Sequence, residues 1–179
     1  ISGGMGAALL ENVEKAKKIL AKLVINSSIP ITCKIRLLPG NIENTLNFIR
    51  EILPTKISAI SIHGRTRFER SSDSCNIEYL KIICQSFSNV IPVITNGGSN
   101  NMKCYQDILN FKKTCGSESV MVARAAQRNP SIFKTNGTLP ILKVLEDFIK
   151  LCILYDIEYS KFKYMLNVMI PHSKSDAHL

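Results

Sequence analysis

Apolar positions along the chain alternate between helical spacing and short continuous runs. Residues 11–25 place Val13, Ala16, Leu20, Leu23 and Val24 at helical intervals, which predicts a helix with one buried face. Pro30 then opens Ile31-Thr32-Cys33-Lys34-Ile35-Arg36-Leu37, a run of strand length that Pro39-Gly40 breaks. Ile42, Leu46, Ile49, Ile52 and Leu53 mark a second helix, and Ile57 to Ile62 a second strand ending in His63-Gly64-Arg65. After a polar loop, Ile77, Leu80, Ile83, Cys84 and Phe87 share a third helical face. The third strand is Ile91 to Thr95, closed by Asn96-Gly97-Gly98-Ser99. A fourth helix carries Met102, Tyr105, Ile108 and Leu109, and a fourth strand, Ser119 to Val122, runs into Ala123-Arg124-Ala125-Ala126. A short helix, a loop around Asn136-Gly137 and a long helix from Pro140 to Tyr155 complete the pattern.

Four β-α units of roughly thirty residues each, with strands read as apolar on both faces, predict a parallel sheet covered by helices. A doubly wound sheet and a β/α barrel both satisfy that pattern. The polar residues favour the barrel. Lys34 and Arg36, His63 and Arg65, Asn96 to Gly98, and Arg124 all fall at strand C-terminal ends, the rim where β/α barrels gather their functional groups. A complete barrel takes eight units in about 250 residues. The expected fold is therefore α/β: the C-terminal half of a TIM (β/α)8 barrel, its last four β-α units, followed by the start of an α-helical domain. Residues 1–135 are read as the partial barrel and 136–179 as the helical part.

Candidate chemistry sits on that rim. The glycines of Asn96-Gly97-Gly98 let backbone approach a ligand closely, and Ala123-Arg124 opens a helical turn with free N–H groups. Loops after the last two barrel strands commonly hold phosphate; simple turns are the other reading. Lys34 lies mid-strand, where an unpaired ammonium is costly to bury. It either faces a barrel mouth, neutralising charge on a reduced ring or a developing oxyanion, or points outward into a helix-sheet ion pair. His63 is either a packing histidine or a member of the same rim. Arg65, Arg67 and Arg70 occupy one loop, suited to phosphate and base edges or simply solvated.

Charge adds to this picture. Twenty-three Lys and Arg against fourteen Asp and Glu leave a net charge of +9, which favours polyanionic partners. The six cysteines form no CxxC pair and lie mostly in apolar runs, so they read as reduced packing thiols, and no metal site is expected. No run approaches the roughly 18 apolar residues of a membrane span. The opening Ile1-Ser2-Gly3-Gly4-Met5-Gly6 is not a signal peptide and lacks an initiator Met. A cytoplasmic protein, with this chain beginning inside a longer polypeptide, is expected.

Taken in order, five segments resemble the tRNA-dihydrouridine synthases. They are Ser2-Gly3-Gly4-Met5-Gly6-Ala7, Thr32-Cys33-Lys34-Ile35-Arg36, His63-Gly64-Arg65, Pro92-Val93-Ile94-Thr95-Asn96-Gly97-Gly98, and Val120-Met121-Val122-Ala123-Arg124-Ala125-Ala126 with Asn129-Pro130-Ser131-Ile132-Phe133. The first and last are most similar to the eukaryotic dihydrouridine-20 branch. The resemblance implies an oxidoreductase with FMN at the barrel mouth, reduced by NADPH or NADH, that converts uridine in the D-loop of tRNA to 5,6-dihydrouridine. It implies flavin contacts for Lys34 and His63, and phosphate contacts for Asn96, Gly97, Gly98, Ala123 and Arg124. Arg36 and Arg65 are expected near the substrate uridine or its phosphate. The family's proton-donating cysteine lies upstream of Ser2, and none of the six cysteines here matches it. The chain alone is expected to be inactive, and its parent monomeric. Two rival readings stay open: a flavin barrel acting on a small molecule, like a dihydroorotate dehydrogenase, and a non-catalytic RNA-binding fragment.

Overall fold

The structure, a computed structural model, describes residues 4–70 and 72–170. Part of the opening motif, Ile1 to Gly3, lies outside the described residues. Four strands form among the described residues: β1 (Thr32–Leu37), β2 (Ala59–Thr66), β3 (Val93–Asn96) and β4 (Ser119–Met121). They make one parallel sheet in the order β1-β2-β3-β4. Spatial order thus follows chain order. A doubly wound sheet reverses at a switch point, and no reversal occurs here. The architecture is α/β with a parallel four-stranded sheet, consistent with part of a TIM barrel.

Two compact units make up the chain. The first takes in the described residues up to Gly97 together with Phe111–Met121, and so holds the whole sheet; the second takes in Gly98–Asn110 and the residues from Val122 onward. Three helices of the first unit, α1 (Val13–Ile25), α2 (Ile42–Ile52) and α3 (Ile77–Phe87), start in the same way. Asn12, Asn41 and Asn76 accept from the backbone N–H of Lys15, Asn44 and Tyr79. Each cap satisfies an otherwise orphaned donor and contributes about 1 kcal/mol.

The sheet corrects one sequence expectation. The strands are not apolar on both faces; they alternate. Ile35, Leu37, Ile60, Ile62, Val93 and Thr95 are buried. So are the apolar faces of α2 (Leu46, Phe48, Ile49, Ile52) and α3 (Leu80, Ile83, Cys84, Phe87). The opposite parity carries Lys34, Arg36, Ser61, His63 and Asn96. The reason is topological. Right-handed crossovers between sequential neighbours put every connecting helix on one side, so only that face is an apolar helix interface.

β2 also runs further than its apolar core suggests. Arg36 pairs with His63, but the next residue, Leu37, pairs with Thr66. Gly64 and Arg65 therefore sit in a bulge without β1 partners, which re-aims side chains at the strand end. Leu38 N–H donates to Thr45 Oγ1 at 3.0 Å, fixing the exit of β1 on α2.

α4 (Tyr105–Cys115) contributes buried Phe111 and Cys115 to the first unit. The second unit contains α5 (Arg124–Arg128), α6 (Ile141–Leu154) and α7 (Tyr159–Met169). Pro140 precedes α6, where its missing N–H costs nothing. Phe148 of α6 stacks on Phe162 of α7 with ring centroids 5.9 Å apart.

Candidate functional site

Three residues singled out in the sequence fall in one register row. Arg36 of β1 is opposite His63 of β2, and His63 is opposite Asn96 of β3. Neighbouring parallel strands lie about 4.8 Å apart, so the row presents a guanidinium, an imidazole and an amide side by side near the strand C-termini. Lys34 is two residues earlier on the same face of β1, opposite Ser61. Lys34 is exposed, and no ion pair to it occurs among the described residues. The outward helix-sheet ion pair therefore does not form there. Partial burial, then the neighbouring Arg36 guanidinium, lowers the Lys34 pKa below its ordinary 10.5.

The row is held by backbone carbonyls. Arg36 Nη1 donates to Thr66 O at 2.9 Å across the bulge. Asn96 Nδ2 donates to Met121 O at 2.7 Å, tying β3 to β4. The reading that places Arg65 beside a substrate meets a guanidinium turned inward, with the residue only 3% exposed. Its Nε donates to Asp73 O at 2.7 Å, and its Nη1 donates to Gly97 O at 2.8 Å and lies 3.2 Å from His63 Nε2.

Two glycines are required by this packing. A Cβ on Gly64 would sit 2.5 Å from Cys75 Sγ and 3.0 Å from Leu80 Cδ1. Gly97 has φ +124°, and a Cβ there would meet His63 Cδ2 and Cys75 Sγ, each at 2.9 Å. Only glycine accommodates both the left-handed backbone and the close approach.

In the second unit, Ala123 N–H donates to Ser99 Oγ at 3.4 Å, and Arg124 begins α5 directly after Ala123. Arg128 donates to Asn100 O and Oδ1 at 3.1 and 2.6 Å. Gly98, Ala123 and Arg124 all belong to this unit.

A cavity of about 350 Å³ runs along the edge of β1, lined by Ala7, Leu10, Leu20, Cys33, Lys34 and Arg36 among others. Burial raises the thiol of Cys33, and pushes those of Cys84 and Cys115 to about 11 and about 12. Such thiols stay protonated and unreactive at neutral pH. No group of His, Cys, Asp or Glu among the described residues could hold a metal ion. No helix among them is long and apolar enough to cross a membrane.

Sequence reasoning missed the anchoring carbonyls of Thr66, Asp73 and Met121, since any residue supplies a carbonyl. It also missed the ion pair of Arg67 Nη2 with Glu11 Oε1 at 2.5 Å, which bridges 56 positions with no local signal (67 − 11).

A parallel β/α sheet that brings cationic, imidazole and amide groups to the ends of successive strands defines an α/β protein consistent with part of a TIM barrel. The family model described as "Dihydrouridine synthase (Dus)" matches residues 1–170, and the chain belongs to the dihydrouridine synthase family. It is 35% identical over 178 residues to the tRNA-dihydrouridine(20) synthase (NAD(P)+) of Schizosaccharomyces pombe, covering 97% of this chain and 36% of that relative. It is 28% identical to the human tRNA-dihydrouridine(20a/20b) synthase (NAD(P)+)-like protein, covering 93% of this chain and 51% of that one. Against tRNA-dihydrouridine synthase B of Yersinia pestis the identity is 31%, with 72% and 39% covered. The chain thus spans between about a third and a half of these relatives.

Proposed function

We propose that the protein carrying this chain reduces a uridine of tRNA to 5,6-dihydrouridine, with NADPH or NADH as reductant and FMN as the bound cofactor. The observation that carries this reading is the Arg36–His63–Asn96 register row with Lys34 beside it, on a chain belonging to the dihydrouridine synthase family. The parts of the fold proposed are the C-terminal half of the barrel, over 1–135, and the beginning of a helical tRNA-binding domain, over 136–179.

The residues present suit a flavin. Lys34 supplies an exposed cation on the open face without a carboxylate partner among the described residues, which suits a ring system that gains negative charge on reduction. Gly97 lets the chain turn closely under His63 at the end of β3, because His63 and Cys75 fill the space that a side chain there would need. When bound, FMN supplies the hydride chemistry; the protein's part is to position and polarise. In this reading Lys34 and His63 contact the ring. Asn96 and Gly97, and on the strength of the motif alone Gly98, Ala123 and Arg124, contact the phosphate. Arg36 holds the substrate uridine. A tRNA partner fits the +9 charge, and reaching a base inside folded RNA requires that it leave its stack. The proton donor is a cysteine outside this chain, since none of its six cysteines stands at the position the family motif gives it; the chain alone is inactive. A monomeric, cytoplasmic parent protein completes the proposal.

The test is reduction of the flavin in the full-length protein followed by addition of unmodified tRNA or of free pyrimidines. Flavin reoxidation and dihydrouridine formation with tRNA alone are expected. Reoxidation by a free pyrimidine but not by tRNA would replace this reading with the small-molecule one. Retained tRNA binding without any flavin absorbance would leave an RNA-binding protein.

A further inference from the structure

We propose that Arg65 is a positioning residue that fixes the tautomer of His63, holding the proton on Nδ1 and leaving Nε2 as an acceptor. The argument begins with a guanidinium in an expensive place. Arg65 is 3% exposed, and among the described residues none of its hydrogen-bond partners is a carboxylate. Asp73 contributes only its backbone carbonyl to Arg65, while its carboxylate accepts from Arg70 N–H at 2.6 Å. Glu69 likewise turns its carboxylate to Thr66 N–H. Burying a cation without a counter-charge is costly, and an apolar side chain or an amide would fill the same space more cheaply.

What arginine supplies is a charged fork of donors that never accepts. Nη1 carries two hydrogens; one goes to Gly97 O at 2.8 Å, and the other faces His63 Nε2 at 3.2 Å. A ring nitrogen facing such a donor must be the acceptor. In neutral imidazole the proton then resides on the other nitrogen, Nδ1. In a free histidine side chain the opposite tautomer prevails, so Arg65 reverses the intrinsic preference. The bulge makes this possible, because Arg65 has no β1 partner and its side chain can turn back along β2. The same nitrogen joins two strand ends, since Gly97 O follows β3 while His63 belongs to β2.

On the flavin reading given above, His63 meets the cofactor as a hydrogen-bond donor through Nδ1 and not as a base through Nε2. The tautomer itself is independent of any ligand. The chain has three histidines, His63, His172 and His178. In protein labelled with 15N-histidine, the ring-nitrogen spectrum assigns His63 as the signal lost in H63N. A protonated Nδ1 and a bare Nε2 are expected at neutral pH. In R65M the Nε2–H tautomer should appear, while R65K, which keeps a donor-only cation, should hold Nδ1–H. An Nε2–H in the unmutated protein overturns the proposal whether or not R65M folds. So does an unchanged tautomer in an R65M protein whose melting temperature shows it is folded.

Titration with FMN, followed by quenching of its fluorescence, gives the second reading. R65M should bind about tenfold more weakly, the loss of one well-placed hydrogen bond; equal affinity in a folded R65M overturns the link to the cofactor. Failure of the unmutated protein to bind FMN, with the Nδ1–H tautomer present, would sink the flavin assignment and leave the role of Arg65 standing.

Discussion

The side-chain amide of Asn96 donates to the carbonyl of Met121 across 2.7 Å, so the last residue of β3 pins the last residue of β4. Backbone pairing alone holds these short strands weakly. Asn96 is 6% exposed, so the bond forms away from water, where an unmade partner costs about 1–3 kcal/mol. Asn96→Ala should lower the unfolding free energy by about that amount. Asn96→Asp should cost more, because a carboxylate would face the carbonyl. Urea denaturation measures both, and an N96A protein as stable as the parent would show that the pin is dispensable.

Gly64 is constrained by space rather than by backbone conformation. Gly64→Ala places a methyl group 2.5 Å from Cys75 Sγ, and overpacking of that degree costs about 1–3 kcal/mol. Adding Cys75→Ala should recover a large part of the loss, leaving the 3.0 Å approach to Leu80 Cδ1. A double-mutant cycle in thermal melts reads the coupling. Purely additive effects would mean that the sulfur is not what excludes the side chain.

Burial raises the thiols of Cys84 and Cys115 from 9.0 to about 11 and about 12. Their neutral forms are favoured by folding. The stability they contribute is complete below pH 9 and is lost as pH climbs through 11 to 12. Cys115→Ala should flatten the alkaline fall in unfolding free energy. In the native protein at pH 8, alkylation should spare both residues until denaturant is added, which peptide mass mapping would show.

Lys34 titrates in the opposite sense. Partial burial, then Arg36, holds its folded pKa below 10.5, so between those two values the unfolded chain binds more protons. Stability therefore rises with pH across that window. Lys34→Met should remove the rise without lowering the melting temperature at neutral pH. On the proposed function it should also weaken FMN binding by at least tenfold, the loss of one charge-assisted contact. A K34M protein that binds FMN as tightly as the parent would take Lys34 out of the cofactor site.

Much of this was legible along the chain because the signals are local. Helical spacing located α1, α2 and α3, asparagines stand at their N-termini, and Pro140 marks the start of α6. Lys34, Arg36, His63 and Asn96 stood out as polar groups at the ends of apolar runs, and three of them share one register row. Linear reading took the strands as apolar throughout, although Thr32-Cys33-Lys34-Ile35-Arg36-Leu37 already alternates. A run this short supports either pattern until the covered face is known.

By itself the sequence determined the order and kind of the elements and the family they belong to, because periodicity and motif are properties of neighbours in the chain. Tertiary structure alone decided that helices cover one face of the sheet, that β2 bulges at Gly64 and Arg65, and that Arg65 turns inward to His63 and Gly97. These depend on which carbonyl or ring arrives opposite a side chain from 2 to 32 positions away. Strand register and packing set that encounter, and residue type does not.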